Sequence, residues 1–179
     1  MNTVQNKPVL AVTLGDAAGI GPELVAKAVA IGFLEQSAIP IIIGDRSVFE
    51  AGQKAAGVTV SCPVVSTIEE ALSVKGLAFL DTKSIDMSTV ALGKVDAAVG
   101  KEEGDVLVSC IDYCKAGLID GFCFAPLNKA AMKLGGYHYD SEHEMFADYF
   151  GVTSHFGEMN VLDGLWNIRV TSHIPLNEV

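Results

Sequence analysis

The chain has 179 residues, of which 50% are hydrophobic and only 19% are charged. Its 22 acidic side chains outnumber its 12 lysines and arginines, so the formal charge is −10 at pH 7. A chain of this length can remove roughly 70% of its unfolded surface from water, enough for one core, and the high apolar content excludes disorder. Because an acidic surface repels phosphate backbones and no basic stripe interrupts it, nucleic acid is not an expected partner.

The sequence also bears on membranes and on the redox environment. No run of about 18 uncharged apolar residues is present, so no membrane span is expected. The first eight residues are polar and lack the hydrophobic core of a signal peptide. The four cysteines lie in apolar surroundings without the two-residue gap of a redox or zinc pair. We therefore expect buried, reduced thiols in a cytoplasmic protein: Cys62, Cys110, Cys114 and Cys123.

Strand and helix patterns alternate along the first half of the chain. The apolar run 8–14 predicts a buried strand, and the glycine-rich residues 15–21 predict a loop. Pro22 suits the first turn of a helix, where Glu23 favours the positive end of the helix dipole. The remaining predicted elements are strands over 39–43, 58–65 and 77–80, a helix over 47–56 and a loop over 84–92.

The same alternation continues in the second half. Predicted helices cover 94–118, 128–134 and 142–150, and predicted strands cover 121–126, 158–162 and 165–171. Asp163-Gly164 is a strong tight-turn signal between the last two strands. The pattern predicts an α/β domain with a mostly parallel sheet flanked by helices. Pro175 marks a further helix start, so we expect residues 1–179 to be the front portion of a longer protein.

The loop 15–21 has the arrangement of an anion site. A strand, a glycine loop and a helix N-terminus direct free N–H groups and the helix dipole at one point. The spacing lacks the last position of a dinucleotide fingerprint, because Leu24 stands where glycine or alanine is needed, and no phosphate-binding lysine follows. A tight strand-to-helix turn explains the glycines equally well. Asp16 adds a carboxylate at the carboxyl edge of the sheet, where ligands usually sit.

Two later segments carry further candidate residues. A strand that ends at Pro126 places Asn128 and Lys129 near the same edge, where Lys129 can neutralise an anionic substrate or stand as a solvated surface lysine. Farther on, Ser141 is placed to cap a helix, with Glu144 at the capping-box position. That role leaves Glu142 and His143, which point about 100° apart on a helix and therefore suit separate substrate contacts better than one metal. His173 follows an apolar strand, where metal or catalytic groups cluster.

Four motifs, in order, resemble the 4-hydroxythreonine-4-phosphate dehydrogenase family of vitamin B6 biosynthesis. Residues 13–23 (TLGDAAGIGPE) resemble the family's opening signature, and Gly93-Lys94-Val95 with Gly100 resembles a second motif. Residues 125–129 (APLNK) and 171–176 (TSHIPL) resemble two more. The likeness covers essentially the whole chain but only about the first half of a family member.

The resemblance implies a homodimeric two-domain enzyme, similar in fold to isocitrate and isopropylmalate dehydrogenases, of which residues 1–179 are a truncated N-terminal part. It implies NAD and a divalent metal (Zn, Mg, Mn or Co) held by three histidines, of which only His173 falls within this chain. The implied reaction oxidises and decarboxylates a small hydroxy acid such as 4-hydroxythreonine 4-phosphate or a related phosphorylated sugar acid. With one of three metal ligands present and most NAD contacts beyond Val179, the isolated chain is expected to be inactive.

One motif departs from the family pattern. Where the family has Gly-His-Thr-Glu, this chain has Ser-Glu-His-Glu at 141–144. Without a gap, the substrate-binding His and Thr map to Glu142 and His143; with a one-residue slip, His143 is the family histidine. A carboxylate beside a phosphate is repulsive. An unphosphorylated hydroxy acid or diol is therefore an alternative substrate, and a phosphate-binding or dimerisation module without catalysis is an alternative function.

Overall fold

The structure is a computed structural model that describes residues 7–169, 175 and 177. The chain forms two compact units, with the boundary between His138 and Tyr139. No helix among the described residues is long and apolar enough to cross a membrane.

The first unit is built on a five-stranded sheet in which every pairing is parallel. The strands are β1 (Val9–Thr13), β2 (Ile39–Gly44), β3 (Val64–Val65), β4 (Ala78–Asp81) and β5 (Gly121–Phe124). Their order is β3-β4-β2-β1-β5, so β1 lies between β2 and β5 although β5 follows it by more than 100 residues. The parallel sheet predicted from the strand–helix alternation is confirmed.

Helices cover both faces of this sheet. Successive strand residues point to opposite sides, so each strand contributes side chains to both helix layers. The helices are α1 (Gly21–Ala30), α2 (Arg46–Ala56), α3 (Ile68–Val74), α4 (Ala97–Lys115) and α5 (Lys129–Leu134). Val12, Ile42 and Phe79 form one apolar cluster with residues of α1 and α2. Ala11 and Ile41 belong to a second cluster with residues of α3 and α4. The sheet is therefore buried on both faces, as parallel sheets require.

The second unit contains α6 (Glu142–Phe150) and an antiparallel hairpin of β6 (Met159–Leu162) and β7 (Leu165–Ile168). Ser141 Oγ accepts a hydrogen bond from the Glu144 amide at 3.4 Å, which confirms the predicted helix cap. The predicted turn at Asp163-Gly164 joins the two strands, and Gly164 has a φ of 74°. All eight residues of the two strands are exposed.

Three expectations are corrected. The strand predicted over 58–65 shrinks to β3, and the unpredicted α3 follows it, capped by Thr67 Oγ1, which accepts from the Glu70 amide at 3.2 Å. The helix predicted from Lys94 begins at Ala97, because Asp96 accepts from two amides and caps it there. Of the four free cysteines only Cys110 is buried, and Cys123 is exposed because β5 is an edge strand of the sheet.

Candidate functional site

The carboxyl ends of β1 and β5 form a topological switch point. The two strands are parallel neighbours, paired from Leu10 with Gly121 to Thr13 with Phe124. After β1 the chain enters α1, which packs on one face of the sheet, whereas after β5 it enters α5, which packs against α4. Ligands of open α/β sheets bind outside the carboxyl ends of strands at such a point. The loops after β1 and β5 are therefore the candidate site.

The glycine loop and the β5 loop are in close contact. Gly15 has a φ of +69°, and a Cβ added to it would lie 2.5 Å from the Pro126 carbonyl oxygen. The Asp16 amide donates to that same oxygen at 3.0 Å. Gly15 is therefore required for two reasons, its backbone conformation and the approach of the second loop. The tight-turn interpretation of the loop is correct for Gly15, and the turn brings Asp16 beside the β5 loop.

Asp16 and Asn128 are joined side chain to side chain. Asn128 Nδ2 donates to Asp16 Oδ2 at 3.1 Å, and the other carboxylate oxygen accepts from the Ala18 amide at 2.8 Å. Asn128 Oδ1 accepts from the Ala131 amide at 3.1 Å and so caps α5. Both ends of the Asn128 amide are therefore occupied, which fixes its orientation. Asp16 is 9% exposed, so this contact forms at the boundary of the core.

Glu103 of α4 contacts the same junction from its buried side. Its carboxyl oxygens accept from the backbone amide of Asn128 at 3.2 and 3.4 Å, and the residue is only 3% exposed. Burial, reinforced by the negative charge of Asp16, raises the pKa of Glu103 to about 8, against a hydrogen bond from Asn128 that lowers it. At neutral pH Glu103 is therefore mostly protonated.

The neighbouring Glu102 is buried as well. Burial raises its pKa to about 7, although a hydrogen bond from Ser84 Oγ at 3.4 Å favours the charged form. Neither glutamate is among the site residues predicted from the sequence. A signal was present, because Val99, Val106 and Cys110 follow a helical period that also places Glu103 on the buried face of α4.

The other predicted residues lie in different settings. Lys129 is exposed in the first turn of α5, directly after Asn128. Glu142 and His143 are half-buried at the start of α6, in the second unit. His143 Nδ1 lies 3.3 Å from Glu158 Oε1, within ion-pair distance but without hydrogen-bond geometry, and Nε2 lies 3.4 Å from Ser141 Oγ. The His143 ring also packs against the Phe156 ring, with 5.9 Å between the ring centroids, so the side chain has contacts on several sides.

The predicted metal ligand His173 lies outside the described residues. Within residues 7–169, 175 and 177, no group of three or more His, Cys, Asp or Glu side chains is arranged to hold a metal ion. This part of the chain therefore does not by itself supply a metal centre.

Open parallel sheets that are covered by helices on both faces bind their ligands at such a switch point. A family model described as pyridoxal phosphate biosynthetic protein PdxA matches residues 36–179. The chain belongs to this family, which confirms the resemblance found in the motifs.

Individual relatives agree. The chain is 38% identical, over 99% of its length, to a Rhizobium meliloti protein that carries a provisional name as a second 4-hydroxythreonine-4-phosphate dehydrogenase. It is 34% identical, over 96% of its length, to a D-threonate 4-phosphate dehydrogenase of Bordetella bronchiseptica. The chain spans about half the length of these curated relatives, 51% of the first and 49% of the second.

A solved structure supports the fold. The crystal structure of a 4-hydroxythreonine-4-phosphate dehydrogenase from Burkholderia phymatum matches with a TM-score of 0.85 and 31% identity. The match covers 96% of this chain and 52% of that one.

Proposed function

We propose that this chain supplies part of the active site of a dehydrogenase that oxidises and decarboxylates a phosphorylated hydroxy acid. The observation that carries the proposal is the Asp16–Asn128 contact, which joins two loops at the sheet edge where α/β enzymes bind ligands. The substrates in the relatives' names, 4-hydroxythreonine 4-phosphate and D-threonate 4-phosphate, support a small phosphorylated hydroxy acid. The family description supports a place in pyridoxal phosphate biosynthesis.

Asp16 and Lys129 have different roles in this proposal. Both Asp16 oxygens already accept hydrogen bonds from the protein, so Asp16 holds Asn128 and the glycine loop in place. Lys129 follows Asn128 and is exposed, and we assign its ammonium group to the binding of an anionic substrate group.

The proposed reaction also requires NAD and a divalent metal. When bound, NAD accepts the hydride, and the metal polarises the substrate hydroxyl. As the family resemblance implies, we propose His173 as one metal ligand and assign the remaining ligands to no residue of this chain. The described residues bind and orient the substrate.

Glu142 and His143 are proposed as further substrate contacts. His143 is held by Glu158 and Phe156, which gives its ring a defined orientation. If residues 141–144 align with the family motif without a gap, Glu142 occupies the position of the family histidine. A carboxylate at that position repels a phosphate, so the role of Glu142 bears on whether the substrate is phosphorylated. The relatives' names favour the phosphorylated one.

We also propose that the protein acts as a homodimer. Trp166 is 71% exposed, and Leu162, Leu165 and Ile168 on the same hairpin are each at least 58% exposed. An isolated two-stranded hairpin is marginally stable in water, and clustered exposed apolar residues mark contact surfaces. Sedimentation of the chain at several concentrations tests this proposal. A monomer at all concentrations contradicts it.

Turnover by a full-length version of the protein, extended to the length of its relatives, tests the proposed reaction. With NAD and Mn²⁺ we expect NADH formation from D-threonate 4-phosphate or 4-hydroxythreonine 4-phosphate, and little from D-threonate. Equal turnover of D-threonate supports the unphosphorylated alternative instead. No turnover, combined with phosphate-ester binding measured by calorimetry without metal or NAD, supports an anion-binding module.

A further inference from the structure

A small cavity lies beneath the candidate site, between the end of β1 and helix α4. Its volume is about 10 Å³, and it is lined by Thr13, Gly15, Glu102, Glu103 and apolar neighbours that include Ile43 and Val106. A cavity of roughly 10–15 Å³ is the smallest that holds one water molecule. The cavity is therefore large enough for a single small ligand and for nothing larger.

The Thr13 hydroxyl provides an independent sign that something occupies this cavity. Thr13 is 3% exposed, and its Oγ1 has no hydrogen-bond partner among the described residues. A buried hydroxyl without a partner costs free energy, and such groups are paired in nearly all native structures. In contrast, both Glu103 oxygens share one donor, the Asn128 backbone amide, and Glu102 Oε1 accepts from Ser84 Oγ. Each carboxyl group therefore keeps capacity for a further bond.

We propose that this cavity binds one ordered water molecule, which bridges the Thr13 hydroxyl to the carboxyl group of Glu103. An internal water needs two to four polar partners, and Thr13, Glu103 and Glu102 supply up to three. A monovalent cation is the competing ligand, because two carboxyl groups line the cavity. The pKa of Glu103, raised to about 8 mainly by burial, favours its neutral acid near pH 7, which suits a water better than a cation.

The bridge connects the sheet to the substrate loops. Glu103 accepts a hydrogen bond from the backbone amide of Asn128. A water between Glu103 and Thr13 therefore links β1, through Glu103, to the turn at Asn128. This inference does not depend on the proposed dehydrogenase activity, since it concerns the buried side of the junction.

The substitution Thr13→Val in the full chain tests the proposal, because valine has the shape of threonine without the hydroxyl. If water bridges the hydroxyl, the substitution removes a hydrogen bond and lowers the Tm by about 2–4 °C. If the hydroxyl is truly unpartnered, the substitution relieves a desolvation penalty, so an unchanged or raised Tm overturns the proposal. Thr13→Ser keeps the hydroxyl and is the matched control. It should retain the water, and it can be measured even if the valine variant fails to fold.

Two further measurements identify the ligand. A crystal structure of the chain and of Thr13→Ser should show one density peak within hydrogen-bond distance of the residue 13 hydroxyl. Replacing Na⁺ by K⁺ or by a bulky organic cation at constant ionic strength should leave the Tm unchanged. An empty cavity, or a Tm that follows the identity of the cation, overturns the water assignment.

Discussion

Asn128 Nδ2 donates a hydrogen bond to Asp16 Oδ2 across 3.1 Å, although 112 residues separate the two in the sequence. The contact exists because β1 and β5 are parallel neighbours whose carboxyl ends meet at one edge of the sheet. Asn128 caps α5 with its other side-chain atom, so one amide group fixes both the contact and the helix start. The contact is therefore the structural centre of the candidate site.

Exchanging the donor and acceptor of this pair should lower the free energy of unfolding in the single variant, and by less in the double variant. Asn128→Asp keeps the helix cap but places a carboxylate against Asp16, and we expect a loss of about 2 kcal/mol in the free energy of unfolding. Adding Asp16→Asn restores a donor–acceptor pair and should recover part of that loss. Urea unfolding of the single and double variants measures both values. Additive effects of the two substitutions would show that the contact contributes nothing.

Gly15 should be far less tolerant of alanine than Gly57. The two have nearly the same φ, +69° and +67°, but only Gly15 has atoms of another loop where a Cβ would stand. Gly57→Ala should therefore cost about 1 kcal/mol of backbone strain, and Gly15→Ala about 2 kcal/mol more because the β5 loop must move. Thermal unfolding of both variants gives the comparison. Equal losses would mean that the loops are not in close contact.

Some of these features could be predicted from the sequence, and the limits have physical causes. The glycine loop after β1 and the APLNK segment were predictable because strand, turn and cap residues act locally. Their pairing was predictable only as a shared sheet edge, since the hydrogen bond depends on the strand order. Glu103 was missed because a carboxylic acid is expected at the surface unless its partner is known, and that partner is a backbone amide 25 residues away.

The buried glutamates should make stability fall as pH rises. Glu103 keeps its proton to a pKa of about 8 in the folded protein, against an ordinary value of 4.5, because burial and the charges of Asp16 and Glu102 disfavour its anion. Between these values the folded state holds a proton that the unfolded state has released. The stabilisation is therefore complete below about pH 4.5 and is lost as pH rises to about 8.

Glu103→Gln should reduce that slope by up to roughly 1.4 kcal/mol per pH unit at pH 5–7, since glutamine does not titrate. Glu102, with a pKa raised to about 7, should account for a remaining slope. Guanidinium unfolding across this pH range measures the effect, with the exposed Glu35→Gln as a control. If the Glu103 variant keeps the full slope of the unmodified chain, Glu103 is already ionised at neutral pH.

The 179-residue chain alone should show no measurable NAD reduction with either phosphorylated substrate. The part of the chain that the structure describes does not form a metal centre, and the chain spans about half of its curated relatives. Following NADH absorbance with Mn²⁺, Mg²⁺, Zn²⁺ and Co²⁺ in turn checks this. Robust turnover by the isolated chain would show that the catalytic groups lie within these 179 residues.

The most direct test of the central claim is the KM of a full-length version carrying Lys129→Met, compared with Lys133→Met. Both lysines are exposed on α5, but only Lys129 lies in its first turn beside Asn128. If the β1–β5 junction binds the anionic substrate, Lys129→Met raises the KM for D-threonate 4-phosphate about tenfold, a loss of ~1.4 kcal/mol, and Lys133→Met leaves it unchanged. Unchanged KM values in both variants would contradict a substrate site at this junction.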